Sequence, residues 1–457
     1  MFEGTKNALA GLWGALGGGA EWPGRLTITG DGDLPSVFAV SDLAGASVGA
    51  ASLAVAELMQ ACRGGPQQAN LDRRLASFWF GSSIRPQGWK LPPAWDPVAG
   101  DYQAADGWIR LHTNAPHHRA AALAVLGVPA ERERVARAVA GWAADALEAT
   151  VVQQGGCAAA MRGIEAWAAH PQGRAVAEAP LLLIEPTPAG PTPRWTVPPG
   201  APLQGVRVLD LTRVLAGPVA TRFLAGFGAE VLRIDPLGWD EPGVVPDVVL
   251  GKRCARLDLR QQADRALWEA LLTKADVLVH GYRPGALERL GLDAARRQSL
   301  CPGLVDVSLD AYGWSGPWQG RRGFDSLVQM SCGIAEAGMR RWGRDRPTPL
   351  PVQALDHATG YVMAAAAVRG LTGRLATGSG CTVRASLAGT AALLTSMPAG
   401  EPVPLAPETP DDLAEATEAT AWGPARRVQP PCSVEGAPMR WNLPASALGS
   451  AAACWTA

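Results

Sequence analysis

The sequence predicts an α/β protein, and three observations carry that expectation. Between residues 203 and 397, short β-branched apolar runs alternate with stretches of helical spacing. That is the pattern of parallel strands joined by crossover helices in an open sheet. A proline-dense stretch, EPTPAGPTPRWTVPPGAP from Glu185 to Pro202, divides the chain; proline at that density sustains neither helix nor central strand and gives an extended spacer. Finally, an acid leading a small-residue helix and a second apolar stretch occurs twice, around Asp42 and around Asp356. This reads as an internal duplication.

The individual elements follow from local patterning. GVRVLDLT reads as a buried strand, and AGPVATRFLAGFG as a helix stopped by Gly228. AEVLRIDP is a second strand. ADVLVHGY and GLVDVSLDAYG are two more, preceded by the helical stretches DRALWEALLTK and ALERLGLDAARRQSL. In the first copy, SVFAVSDLAGASVGAASLAVAELM reads as a strand-like run entering a helix; PVQALDHATGYVMAAAAVRGL has the same layout in the second. The expected organisation is a partial copy over 1–185, holding the Asp42 helix and a smaller α+β domain, and a linker over 186–202. A parallel-sheet half with Asp356 follows over 203–397, and a Pro-rich linker and closing tail over 398–457.

Bulk composition narrows the function classes. The 457 residues are 47% hydrophobic and 18% charged, as in folded globular chains. A net charge of -1 gives no overall field for nucleic acid or an anionic membrane, so an anionic ligand needs a local site. The eight cysteines form no CxxC pair, and the six histidines are not spaced with them as metal ligands. Reduced, mostly buried thiols, no metal and a cytoplasmic location are expected. The N-terminus lacks the basic region of a signal peptide, and no run approaches the roughly 18 apolar residues of a membrane span. The triple glycine Gly17–Gly19 is followed by no GK[ST] and is not a P-loop. His117 and His118 read as a polar surface turn. Trp79, Trp89, Trp95 and Trp108 read as a small-domain core with exposed edges rather than a base-stacking surface.

Five blocks then occur in one order: GVRVLDLTRVLAGPVATRFLAGFGAEVLRIDP, GKRCARLDL, ADVLVHGYRPGALERLGL, GWSGPWQGRRGFDSLVQMSCGI and VQALDHATGYVMAAAAVRGL. Together they resemble the family III (CaiB/BaiF-like) CoA-transferases, the group containing formyl-CoA transferase, carnitine CoA-transferase and α-methylacyl-CoA racemase. WDPVAGDYQAADGWIRLHTNAPHHRAAALAVLG and the tail GPARRVQPPCSVEGAPMRWNLPASALG resemble the later parts of the same enzymes, in a permuted and partly duplicated order.

The resemblance implies a Rossmann-like CoA-binding half and transfer of CoA from an acyl-CoA to a carboxylic acid. It also implies an aspartyl nucleophile, no permanently bound cofactor, and a homodimer. Asp356, at the start of its helix, matches the acyl-accepting carboxylate, since a helix start stabilises a carboxylate and supplies free N–H groups; position alone favours a helix cap, and the resemblance turns the reading to catalysis. Asp42 has the same setting, as a second nucleophile or, preferably, an inherited cap. The loop Arg213, Val214, Leu215, Ala216, Gly217 is implied beside the pantetheine arm. Lys252, Arg253 and Arg283 are implied on the phosphates, with Tyr282 near adenine. Asp235 replaces the family's usual Glu and is assigned no contact. Phe324 stands where the racemase branch has a proton-transferring His, which disfavours racemisation. His357, beside Asp356, has no assigned role. A racemase or isomerase of the same group, or a non-catalytic CoA-binding paralogue, are the alternatives.

Overall fold

The computed structural model describes residues 2–190, 198 and 200–456. In the second half, six parallel strands form the main sheet: Arg207–Leu211, Glu230–Asp235, Lys252–Arg256, Val277–His280, Val305–Asp310 and Ser379–Ser386. Numbered in chain order, they lie 3-2-1-4-5-6 across the sheet, the Rossmann arrangement, with its switch point between the first and fourth strands. Helices cover both faces, so a strand such as Val277–His280 is buried at every residue. The α/β class with a Rossmann-like half is thereby established.

The sheet has a seventh strand that the sequence reading did not place. Leu183–Ala189 pairs antiparallel with Ser379–Ser386 at the edge, with Glu185 opposite Thr382. The expected linker therefore begins later: its first four residues, 186–189, are strand. Pro186 and Pro188 are tolerated because the strand is an exposed edge, where a missing donor costs no ladder bond. Residues 191–197 and 199 of the expected linker lie outside the described residues.

The duplication is explicit. Val40–Arg63 and Ala354–Thr377 are both 24-residue helices. Each joins two parallel strands, Leu26–Thr29 to Ala69–Asp72 in the first copy and Val305–Asp310 to Ser379–Ser386 in the second. Their N-caps have nearly the same backbone, φ -75, ψ 58 at Ala39 and φ -77, ψ 64 at Gln353. In each copy the second strand runs directly into a capped helix: Asp72 accepts from the Leu75 N–H at 2.9 Å, and Ser386 from the Gly389 N–H at 3.0 Å. The strand-like run expected before the Asp42 helix is irregular instead, and the helix starts at Val40.

The two copies exchange strands. The chain leaving the first copy returns as Leu183–Ala189 on the second copy's sheet. The chain leaving the second returns as Cys432–Val434, antiparallel to Ala69–Asp72 of the first. The two long helices pack together at the centre. The Asp247 carboxylate ties the halves as well, accepting from Arg222 and Arg427 at 3.0 Å each and from the Ser83 N–H at 3.2 Å.

Val40–Arg63 is long and apolar enough by composition to cross a membrane, contrary to the sequence expectation; 89% of its most apolar window is packed inside the protein. Gly45 and Gly49 permit that packing, since a Cβ at Gly49 would stand 2.6 Å from Leu26.

The small domain is an antiparallel sheet of Gly100–Gln103, Trp108–Leu111 and Ala158–Ala160 with three helices around a core of Val98, Tyr102, Ile109 and Leu147. The four tryptophans do not share it: Trp79 is fully buried elsewhere, stacked on Trp441 at 5.3 Å, and Trp95 is exposed. All eight cysteines are free thiols, six of them buried.

Because each copy closes the other, co-expressed chains divided between Gly190 and Pro198 are expected to copurify as a 1:1 complex. Recovery of the first half alone as a soluble, monodisperse species in size-exclusion chromatography would contradict the exchange.

Candidate active site

The first parallel strand ends at Leu211, and the chain turns sharply before the helix Ala216–Gly226. Gly217 is needed there because a Cβ would collide with Thr212. Val214 adopts φ 64, a left-handed conformation that costs a β-branched residue about 1–3 kcal/mol. The Glu241 carboxylate holds it, accepting the Val214 N–H at 2.9 and 3.0 Å. That N–H is therefore not free for a ligand. Glu241 is itself fixed by Arg233 at 3.3 Å, and Arg233 by Asp235 at 2.9 Å. Asp235 is thus a buried structural partner.

Asp356 is the third residue of its helix, and Gln353 is the N-cap; the capping reading fails by three positions. Gly360, one turn on, lets the backbone of Ala216 lie against the helix. Ala216 gives Asp356 a backbone hydrogen bond that favours its anion, yet burial first, then Asp325 and Glu241, hold the carboxyl well above the usual carboxylate range. Asp325 is the partner that sequence reading missed, although it stands beside Phe324 in GFDS. Its carboxylate accepts the Asp356 N–H at 3.0 Å and also the Leu355 N–H, capping the helix from outside. Burial pushes Asp325 up to about 6.

Asp356 opens into a cleft of about 320 Å³ at the switch point, where open α/β sheets bind ligands. Arg213, Val214, Ala216, Tyr282 and Arg283 line it, as does Phe324. Arg213 donates to the Tyr282 hydroxyl at 3.1 Å and lies over the rings of Trp239 and Tyr282, 4.7 and 5.1 Å from their centroids. Arg322, from the GRRG segment, joins Arg213 and Arg283 in the lining. Among the described residues none of these three guanidiniums is paired with a carboxylate. Burial and Arg322 together push Arg283 below its ordinary value.

His117 and His118 are a correction. They form the first turn of the helix Pro116–Leu126 and line this cleft; His117 is exposed, as a surface turn would be, and His118 is not. His118 is buried, pushed down to about 3 chiefly by burial, with neither ring nitrogen partnered. The small domain of the first copy therefore roofs the site of the second.

Other expected ligand residues lie elsewhere. Lys252 is fully buried; its ammonium donates to Thr221 at 2.6 Å, the Pro218 carbonyl at 2.9 Å and Asp210 at 3.1 Å. It pins the loop helix to the sheet and cannot meet a phosphate. Burial pulls it down to about 8 despite Asp210. Arg253 points the other way from this edge strand and donates to the Cys454 carbonyl at 2.6 Å. Leu215 is the helix N-cap, packed against the Val245–Val249 cluster. His357 stacks on Phe80 at 5.2 Å, away from the cleft.

Asp42 is neither cap nor exposed nucleophile. Ala39 is the N-cap, and Asp42 accepts from Thr5 at 2.6 Å and pairs with Arg73 at 2.9 Å. Gly4 packs so closely that a Cβ there would strike the carboxylate. The helix Glu3–Ala15 thus fills the place that the loop and cleft occupy in the second copy.

With this geometry in view, the match of residues 203–422 to the CoA-transferase family III model covers the sheet, the Asp356 helix and the cleft loops together. Residues 203–422 belong to CoA-transferase family III. Among relatives of this family III segment, a probable fatty acyl-CoA transferase of Mycobacterium tuberculosis is 32% identical over 190 residues, covering 38% of this chain and 48% of the relative. The succinyl-CoA–L-malate CoA-transferase alpha subunit of Chloroflexus aurantiacus is 37% identical over 148 residues, covering 29% and 35%. A crystal structure of a CaiB/BaiF family protein from Brucella suis is 25% identical, covering 49% of this chain and 65% of that one, with a TM-score of 0.39. The chain spans less than half the length of these two curated relatives.

Two outcomes follow. Lys252→Met removes one partner of a buried pair and should lower unfolding free energy in urea by about 3–5 kcal/mol, while leaving CoA affinity of the folded fraction unchanged; weakened affinity with unchanged stability would restore it to the phosphate site. For Asp356, a folded pKa above the unfolded value means its contribution is fully present below the unfolded pKa and lost as pH rises through the folded one. Asp356→Asn should therefore raise Tm relative to wild type, by an increment that grows from pH 5 to pH 8.5. A pH-independent increment would contradict the buried, raised carboxyl.

Proposed function

We propose that the chain moves CoA from an acyl-CoA thioester to a carboxylic acid, with Asp356 as the acyl acceptor. The observation that supports it most is the convergence of a buried carboxylate, a backbone N–H and three unpaired guanidiniums on one cleft at the sheet's switch point.

In the proposed sequence, ionised Asp356 attacks the thioester carbonyl; a C–O bond forms, the C–S bond breaks, and CoA leaves as thiolate. The thiolate attacks the aspartyl carbonyl of the mixed anhydride, releasing the donor acid and leaving an aspartyl–CoA thioester. The acceptor carboxylate attacks that thioester, and the thiolate finally takes the acceptor's acyl carbon, regenerating Asp356. Burial makes the carboxylate poorly solvated and reactive once ionised, so turnover should rise with pH through its raised pKa. Arg213, Arg283 and Arg322 would hold the phosphates. Tyr282 and Arg283 also border a second cavity of about 340 Å³ with Trp314 and Arg384, giving room for the adenosine end. Phe324 in the cleft wall cannot take a proton, which favours transfer over racemisation.

The site is roofed by the same chain, so a homodimer is not needed to complete it; a dimer, if formed, would leave specific activity independent of protein concentration. Single alanine substitutions of Arg283 and Arg322 should each weaken CoA binding about tenfold by calorimetry, with Arg253→Ala unchanged. Asp356→Asn should abolish exchange of labelled CoA between acids while retaining CoA binding. Unchanged affinity in both cleft variants, or full exchange in Asp356→Asn, would overturn the proposal.

A further inference from the structure

Beyond the wall formed by Val214, Trp239 and Phe324 lies another cavity of about 330 Å³, which shares those three residues with the Asp356 cleft. Its lining differs sharply in chemistry from the cleft. Trp95, Trp239, Phe324, Pro93, Pro116 and Pro242 supply rings on several sides. The charged residues lining it are Asp96, Asp240 and Glu241, with neither Lys nor Arg.

The polar atoms here are mostly engaged. Asp96 accepts from Thr113 at 2.8 Å and Arg119 at 2.9 Å, and Asn114 donates to the Ala94 carbonyl at 2.8 Å. Glu241 is held by the Val214 N–H. Two buried groups are not engaged: the Trp239 indole N–H and His112 Nδ1 have no partner. His112 lies flat on Phe324, ring centroids 3.7 Å apart, and burial pulls its pKa down to about 3, so it brings no positive charge near neutral pH. Arg213 lies over the Trp239 ring and lines the cleft, not this cavity. Trp239, with Val214 and Phe324, thus separates a cationic cleft from an acidic, aromatic chamber.

We infer that this chamber receives the substituent of the substrate acid and selects a monocarboxylate with an uncharged aromatic substituent, excluding dicarboxylates. The inference rests on the proposed transfer at Asp356. Ring walls on several sides suit an aryl substituent. Asp96 and Glu241 already hold Arg119 and Arg233, so a second carboxylate would meet acids and no Lys or Arg in the lining to offset its lost hydration.

The test uses the full chain with acetyl-CoA as donor and phenylacetate or succinate as acceptor. kcat/KM should favour phenylacetate about a hundredfold, and Asp240→Lys should cut that ratio at least about tenfold by raising the succinate value. Independently of turnover, phenylacetate should shift the indole N–H resonance that is missing in Trp239→Phe, and succinate should not. Exchange that favours succinate, or an indole resonance that ignores phenylacetate, overturns this assignment while leaving transfer intact. Absence of exchange with every acid, alongside a phenylacetate-shifted indole, overturns the transfer reading instead and retains the aromatic chamber.

Discussion

Because Leu183–Ala189 lies on Ser379–Ser386 while Cys432–Val434 lies on Ala69–Asp72, each copy's chain must leave its own lobe and close the other. Neither sheet is complete without the partner copy. The two 24-residue helices then have nowhere to go except against each other, and their small residues make that contact close. The same crossing carries the small domain over the second copy's switch point, which places His117 and His118 above Asp356. The cleft is thus a consequence of chain path as much as of the parallel sheet.

The duplication has not produced two equal sites. Both helices start with the same cap geometry and carry an aspartate at the third position. In the second copy, Gly360 admits the Ala216 backbone and leaves a cleft in front of the carboxylate. In the first, Thr5, Gly4 and Arg73 close on Asp42 and neutralise it. One carboxylate is consumed by structure; the other is kept buried beside the like-charged Asp325, which accepts its backbone N–H, and among the described residues no cation pairs with it. A buried acid held above its ordinary range costs stability at neutral pH, a cost characteristic of residues kept for chemistry rather than for folding.

Much of this was legible in the sequence because it depends on local pattern. Period, turn residues and β-branched runs placed four of the main-sheet strands, and the repeated acid–helix–strand layout exposed the duplication. What sequence could not give was direction. Lys252 and Arg253 are adjacent in an edge strand, so their side chains point to opposite faces; one is buried under the loop helix and the other meets the tail. His118 sits in a polar-looking segment, yet it is buried, with Phe324 of the distant half against its ring. Asp325 and Arg322 stood inside a quoted block, but their roles follow only from where the Asp356 helix begins. Pro186 and Pro188 argued against strand, and exposure at an edge removed the objection.

Asp356 as the acyl acceptor is the central claim, and intact-protein mass spectrometry after incubation with an acyl-CoA tests it most directly. The account predicts a hydroxylamine-sensitive adduct that maps by peptide sequencing to Asp356 and vanishes in Asp356→Asn. An adduct mapping to Asp42, or one that persists in Asp356→Asn, would contradict it.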